Sequence, residues 1–254
     1  MEFEQFRESN AELERTEDIV RIITLLEKTG DHALDIGARD GYFSVLLTEY
    51  FKKVTALDLS VPVLTHERVE CVQGDLTKLK FSDNSVEFIL CTEVLEHIPT
   101  PLLSRACAEL SRVSADYLLI GVPLMQDIRV GRTTCFTCGG KNPPWGHVNS
   151  FDKKKIIELF PDFTVIEESF VGENSLATNS VSRWFFDLAG NPYGSYTQEE
   201  PCIHCGGKLI SPPQRNMTRK IFTKLGMLSR FFQRPFIKPH PNWIHLLFKK
   251  TLQV

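Results

Sequence analysis

The chain has 254 residues, 42% hydrophobic and 24% charged, with a net charge of −3, so it can bury one substantial core, and a single domain spanning 1–254 is expected. No stretch approaches the roughly 18 uninterrupted apolar residues of a membrane span, and the acidic, polar N-terminus MEFEQFRESNAELERTED excludes a secretory signal, which points to a cytoplasmic location. Seven cysteines, an odd number without an export signal, argue against a disulfide framework and for thiols that are reduced or metal-bound.

Ile19, Ile22, Ile23 and Leu26 recur at helical spacing, with Gly30 placed to end the helix, so a helix is expected within residues 1–29. Short apolar runs then alternate with amphipathic stretches. HALDIG (32–37), KVTALDL (53–59), ECVQGD (70–75), VEFILCTE (86–93) and DYLLIGVP (116–123) read as strands. GYFSVLLTEYF and PLLSRACAELSRV between them read as helices. This rhythm implies an α/β fold, a doubly wound parallel sheet covered on both faces. FTVIEESFV (163–171) is followed by a long irregular segment, and WIHLLFKK (243–250) reads as the last strand.

Such sheets bind ligands at the carboxyl ends of their strands, where the first turn feeds a helix N-terminus. LDIGARDGYFS (34–44) occupies that place. Asp35 ends the strand, Gly37 lets the chain turn, and Gly41 lets the next helix begin close to a ligand. Asp58 closes the second strand, where a carboxylate can accept two ribose hydroxyls. Asp75, after the third, is placed to accept from an exocyclic amine. One glycine turn with an acid is equally an ordinary tight turn; three acidic strand ends in register carry the ligand reading.

ALDIGARDGYFS, VTALDLS, CVQGDLTKLKFSDNSVEFILCTEVLEHIP and YLLIGVP together resemble the successive motifs of class I S-adenosylmethionine-dependent methyltransferases, over residues 30–170 and the last strand. The resemblance implies a Rossmann-like seven-stranded sheet with the last strand antiparallel, and a cofactor-binding half over 30–130. It also implies that Asp35, Gly37 and Gly41 face the methionine end of the cofactor, Asp58 the ribose, and Asp75 with Leu76 the adenine, with Ala38, Leu59 and Thr92 also among the cofactor-binding residues. Arg39 stands where the family has a small residue. Its backbone is expected to line the site and its side chain to point away.

Methyl transfer from a sulfonium is an in-line displacement, in which orientation alone removes up to roughly 7–11 kcal/mol of barrier. A base is needed when the nucleophile is a hydroxyl or a protonated amine. CTEVLEHIP supplies candidates: if a helix begins near Thr92, then Glu93, Glu96 and His97 fall at i, i+3 and i+4 on one face. His147, in WGHVNSFD, is expected to join them. Two carboxylates and two imidazoles suit a second, divalent metal. The E-x-x-E-H pattern resembles that of metal-dependent small-RNA 3′-end ribose methyltransferases and of quinone-pathway O-methyltransferases. It reads equally as ordinary architecture, with Glu93 and His97 as a helical ion pair, and both readings stay open.

CFTCGG (Cys135, Cys138) and CIHCGG (Cys202, Cys205) form a second constellation. Four thiolates closing a tetrahedron hold zinc structurally, without an open position for chemistry. The pairs are far apart in sequence, so the inserts 131–150 and 195–242 must meet in space, where zinc would order a substrate lid. Redox chemistry is the rival reading of a C-x-x-C, but two copies in glycine-rich loops favour zinc. Cys71, Cys91 and Cys107 sit at apolar positions and read as core, and His204 as a bystander.

No Asp or Glu follows Glu200, whereas ten of the 29 Lys and Arg do. Met217, Ile221, Leu225, Leu228 and Phe232 repeat at helical spacing among Arg219, Lys220, Lys224 and Arg230. That stripe would cap the core, or would turn a basic amphipathic helix toward an anionic membrane surface, a phosphorylated substrate or nucleic acid. The expected function is methyl transfer to oxygen of a small-molecule, glycan or lipid-linked acceptor. RNA ribose 2′-O-methylation is an alternative that the lack of an aromatic single-strand platform disfavours. A non-catalytic cofactor-binding scaffold, using the zinc loops and basic helix for partners, is the other.

Overall fold

The computed structural model describes residues 10–26, 30–212 and 216–251. Its elements are α1 (Asn10–Thr24), β1 (Gly30–Ile36), α2 (Tyr42–Leu47), β2 (Phe51–Asp58), β3 (Val69–Gln73), β4 (Val86–Thr92), α3 (Thr100–Val113), β5 (Ser114–Pro123), β6 (Thr133–Thr134), β7 (Lys141–Asn142), α4 (Lys153–Glu158), β8 (Phe163–Val171), α5 (Ser180–Ala189), α6 (Met217–Gln233) and β9 (Trp243–Lys250). The chain divides into two compact units, one of Met1–Leu124, Phe151–Gly172 and Pro241–Val254, the other of Met125–Ser150 and Glu173–His240.

The first unit is a seven-stranded sheet in the order β3-β2-β1-β4-β5-β9-β8. Strands β1 to β5 pair in parallel, and β9 runs antiparallel to both β5 and β8. This is the Rossmann-like arrangement with an antiparallel last strand. Parallel strands buried on both faces need continuous apolar runs, and Phe88–Cys91 and Leu118–Ile120 supply them. On one face α3 and α4 pack Leu103, Ala106, Leu110 and Ile156 against the sheet. On the other, Ile19, Ile22 and Ile23 of α1 and Leu47 of α2 do the same. Each such leucine or isoleucine contributes about 1.5–3 kcal/mol of burial. Strand order reverses between β1 and β4, so the crevice beyond their carboxyl ends is the topological switch point.

Several sequence expectations shift. Gly30 opens β1 instead of closing a helix, and α1 ends at Thr24; residues 27–29 of the expected helix lie outside the described residues. The helix read through residue 51 stops at Leu47, because the Thr48 hydroxyl donates to the Val45 carbonyl at 2.6 Å and the chain turns into β2 at Phe51. Beside the inserts expected at 131–150 and 195–242, the second unit spans Met125–Ser150 and Glu173–His240. The second unit includes α5, a helix within the stretch after residue 171 that the sequence pattern makes irregular. Asn179 caps its first turn through Ser182 N–H, Gly190 ends it at φ 81°, and it packs on α6 within the second unit.

The second unit holds the β6–β7 hairpin, the cysteines and the antiparallel α5–α6 pair. The Ser182 hydroxyl donates to the Gly226 carbonyl at 2.7 Å, and Asn179 reaches Gln233 at 2.9 Å. A Cβ on Gly226 would lie 3.1 Å from the Phe186 ring, so glycine sets the close approach of the helices. The α6 stripe does not cap a core. Thr223 and Gly226 are the buried positions of α6, whereas Met217, Ile221, Leu225, Leu228 and Phe232 are exposed.

Candidate functional site

The loop after β1 is fastened to the end of β2, since Gly37 N–H and Ala38 N–H both donate to the Leu57 carbonyl, at 2.8 and 3.2 Å. Gly37 has φ 73°, which a Cβ would strain, and a Cβ there would also sit 2.5 Å from Val94. Asp35, buried at the end of β1, accepts from the Ser44 hydroxyl at 2.5 Å. Burial raises its carboxyl to about 7, and the nearby Asp58 and Asp40 push the same way. Arg39 is exposed with φ 53°, and its N–H donates to Asp58 Oδ2 at 3.0 Å. Its backbone thus faces Asp58, while its charge helps burial lower the His97 imidazole to about 4.

Asp58 and Asp75 share a pattern. Each has one carboxylate oxygen engaged, Asp58 Oδ2 by Arg39 N–H and Asp75 Oδ1 by the N–H and hydroxyl of Thr77, both at 2.8 Å. The second oxygen of each has no hydrogen-bond partner among the described residues. Leu59 presents an exposed side chain beside Asp58, and its carbonyl is held by Gln73 at 2.9 Å. The Leu76 side chain is buried in the core. Thr92 ends β4 opposite Gly121 of β5.

Beyond Thr92 the structure departs from the expected helix. Glu93 has φ 56°, residues 93–98 form turns, and α3 begins only at Thr100. Pro99 and Pro101 account for this: Pro99 bars Ile98 from helical backbone, and Pro101 fits the first turn of a helix. Glu93, Glu96 and His97 therefore do not stack on one helix face. Glu96 is fully buried with neither carboxylate oxygen bonded, and Glu93 Oε1 is likewise unbonded, among the described residues. Burial lifts Glu93 to about 7, against the pull of Arg15, and Trp243 donates a hydrogen bond to it. Burial and the charge of Glu93 raise Glu96 well above the usual carboxylate range.

The countercharge comes from α1. Arg15 Nε and Nη2 donate to Glu12 Oε2 at 3.0 and 2.8 Å, and the fields of Glu93 and Glu96 also act on Arg15. Sequence reasoning missed Glu12, Arg15, Ser44 and Trp243. A signal existed for two of them: Glu12 and Arg15 fall on the same helical stripe as Ile19, Ile22 and Ile23, a place where charge needs a reason. His147 belongs to the second unit, where its Nδ1 lies 2.6 Å from Gln126 Oε1.

The second unit brings the four cysteines together. Sγ of Cys135 lies 3.7 Å from that of Cys205, Cys138 is 3.7 Å from Cys202, and all four sulfurs lie within 4.8 Å of one another. Sulfurs about 2.3 Å from a tetrahedral zinc stand about 3.8 Å apart, and a disulfide would bring a pair to about 2.0 Å. The two knuckles repeat the same bonds: Gly139 N–H to the Cys135 carbonyl and Gly206 N–H to the Cys202 carbonyl, each at 2.8 Å. Hydrogen bonds from the Cys138 and Thr137 amides, opposed by burial, lower the Cys135 thiol to about 6. The set fits a structural zinc. Cys91 and Cys107 are buried, Cys71 is half-buried, and His204 Nε2 lies 3.1 Å from the Lys141 carbonyl.

Residues 34–116 match the family model described as a methyltransferase domain. A ubiquinone biosynthesis O-methyltransferase of Xanthomonas euvesicatoria pv. vesicatoria is 32% identical over 100 residues, which is 35% of this chain and 42% of that protein. A malonyl-[acyl-carrier protein] O-methyltransferase of Pectobacterium atrosepticum is 31% identical over 109 residues, 41% of this chain and 42% of that protein. The chain thus spans about two fifths of the length of the curated relatives it matches. The Burkholderia thailandensis 1,6-didemethyltoxoflavin-N1-methyltransferase, solved with 1,6-didemethyltoxoflavin and S-adenosylhomocysteine, aligns with a TM-score of 0.56 at 14% identity, covering 97% of this chain and 81% of its own. That likeness is one of fold. Over residues 34–116 the chain is thus similar to methyltransferase domains, and its sheet has the Rossmann-like order with an antiparallel last strand.

Proposed function

We propose that the chain is an S-adenosylmethionine-dependent methyltransferase that methylates a hydroxyl oxygen of a small-molecule acceptor, with zinc held by Cys135, Cys138, Cys202 and Cys205 as a structural staple. The observation that carries this reading is the row of acids on consecutive strands. Asp35, Asp58 and Asp75 stand at the carboxyl ends of β1, β2 and β3, and the last two each keep an oxygen open. When bound, S-adenosylmethionine supplies an electrophilic methyl group on a sulfonium sulfur.

Asp58 accepts from the ribose hydroxyls, and Asp75 from the adenine amine. The loop Gly37–Gly41 would bring its backbone against the methionine end, with Asp35 near the end of the strand that feeds it. Glu93 is the base: a carboxyl near 7 can take a hydroxyl proton at neutral pH, and a positioned base of this kind contributes about 10²–10⁴-fold. Arg15 keeps Glu93 and Glu96 from rising further and so holds Glu93 in the useful range. His97, held neutral, adds no second positive charge beside Arg39. Oxygen is favoured because a base stands at the site, and both curated relatives named above are O-methyltransferases.

The test is transfer of a tritiated methyl group to phenolic and aliphatic hydroxyl acceptors, compared with carboxylate acceptors that need no base. Turnover on a hydroxyl that falls about 10²-fold or more in Glu93→Gln supports the reading. Turnover confined to carboxylates, indifferent to Glu93→Gln, replaces it.

A further inference from the structure

The α5–α6 pair is amphipathic in the reverse of the usual sense, with small and polar residues inside and large apolar ones outside. The helices run antiparallel, with Ser182 against Gly226 and Asn179 against Ser229 and Gln233. At roughly 100° per residue, positions displaced in the same sense from the contact line of an antiparallel pair lie on the same side of it. The stacked rings of Phe185 and Phe222, 6.2 Å apart, mark that side. Further round in that sense come Val181, Trp184 and Leu188 on α5. On α6 the corresponding residues are Ile221, Leu225, Leu228 and Phe232.

All seven are exposed, Trp184 at 56% and Phe232 at 66%. They make one apolar face across two helices, in a chain where scattered exposed apolar residues would need no explanation but a continuous face does. Lys224 borders this face on α6 and Lys220 lies further round beside the exposed Met227 and Phe231; both lysines are exposed, and neither pairs with a carboxylate among the described residues. Arg219 and Arg230 bring the helix to four cations and no acid, and the sequence holds no acid beyond Glu200. Just past the helix Phe236 is 83% exposed between Arg234 and Lys238.

We infer that the α5–α6 face docks on an anionic lipid bilayer, with the apolar side chains entering the interface, Trp184 at headgroup level and Lys220 and Lys224 against lipid phosphates. Charge complementarity selects this occupant. A second copy presenting the same face would set Lys220 and Lys224 against their like, with no acid on the face to compensate. A bilayer interface accepts basic side chains at the edge of an apolar stripe, and each contributes attraction to acidic lipid. Tryptophan is enriched at that depth. No helix among the described residues is long and apolar enough to cross a membrane, so contact of this kind is peripheral.

The experiment is co-sedimentation of the full chain with phosphatidylcholine vesicles and with vesicles about one-third phosphatidylglycerol. The expected result is binding at least about tenfold stronger to the anionic vesicles, lost on raising the salt. The surface variant Lys220→Glu/Lys224→Glu should weaken it about tenfold or more while leaving the circular dichroism spectrum unchanged. Leu228→Asp should abolish it through the apolar term. Equal or no sedimentation with both vesicle types overturns the inference, as does undiminished binding by the Lys220→Glu/Lys224→Glu variant. A solution dimer dispersed by Leu228→Asp would assign the face to a second copy and overturn it as well.

Discussion

The Ser44 hydroxyl donates to Asp35 Oδ2 across 2.5 Å, with both side chains buried, so the acid that opens the candidate cofactor site is held inside the sheet. Burial sets its carboxyl at about 7 instead of 3.8. Between roughly pH 4 and 7 the folded chain keeps a proton that the unfolded chain has released, and stability rises with pH only where the unfolded state holds more protons. Asp35 therefore contributes most below that window, and its contribution declines as pH rises through it. Asp35→Asn should be more stable than wild type by about 2–4 kcal/mol at pH 8 and no more stable at pH 4, read from urea unfolding at each pH. A gain that is the same at both would contradict a buried, titrating Asp35.

Arg15 stands against Glu12, Glu93 and Glu96. Removing one partner of a buried ion pair costs about 3–5 kcal/mol, because the remaining charge has no compensation. Arg15→Met should lose that amount at pH 8 and less near pH 5, where the folded Glu93 and Glu96 carry protons and the broken Glu12 pair accounts for the loss that remains. Thermal unfolding at the two pH values measures the difference.

The cysteine set predicts one zinc per chain by elemental analysis of protein purified without added metal. Cys138→Ser should retain less than about a fifth of it and unfold at lower temperature, since zinc binding in such sites is folding free energy. Full zinc content in the variant would place the metal elsewhere.

At Gly226 the space is set by Phe186, 3.1 Å from where a Cβ would stand. Gly226→Leu should destabilise the chain by about 1–3 kcal/mol through overpacking between α5 and α6, measured by chemical unfolding. Indifference to leucine would mean that the helices are not packed as described.

Much of the sheet was legible because parallel strands buried on both faces leave unbroken apolar runs, such as VEFILC and YLLIGV, bounded by turn residues. The positions of Asp35, Asp58 and Asp75 at or just past strand ends were legible for a related reason, since charge at the end of such a run stands out. The E-x-x-E-H stretch misled because i, i+3 and i+4 spacing suggests a helix, while Pro99 and Pro101, two and four residues beyond His97, fix where the helix can start. Arg15 was hidden because its role depends on α1 lying beside β4's loop, a pairing that no local pattern encodes. The α6 stripe was visible but its direction was not: periodicity reports that a face is apolar, and only Ser182 packed on Gly226 reveals that this face points outward.

Isothermal titration with S-adenosylhomocysteine tests the central claim, that acids at consecutive strand ends grip the methyl donor. Wild type should bind with micromolar affinity, and Asp58→Ala should lose at least about tenfold, the equivalent of about 1.4 kcal/mol, while remaining folded. No heat with the wild-type chain, or unchanged affinity in Asp58→Ala, would contradict it.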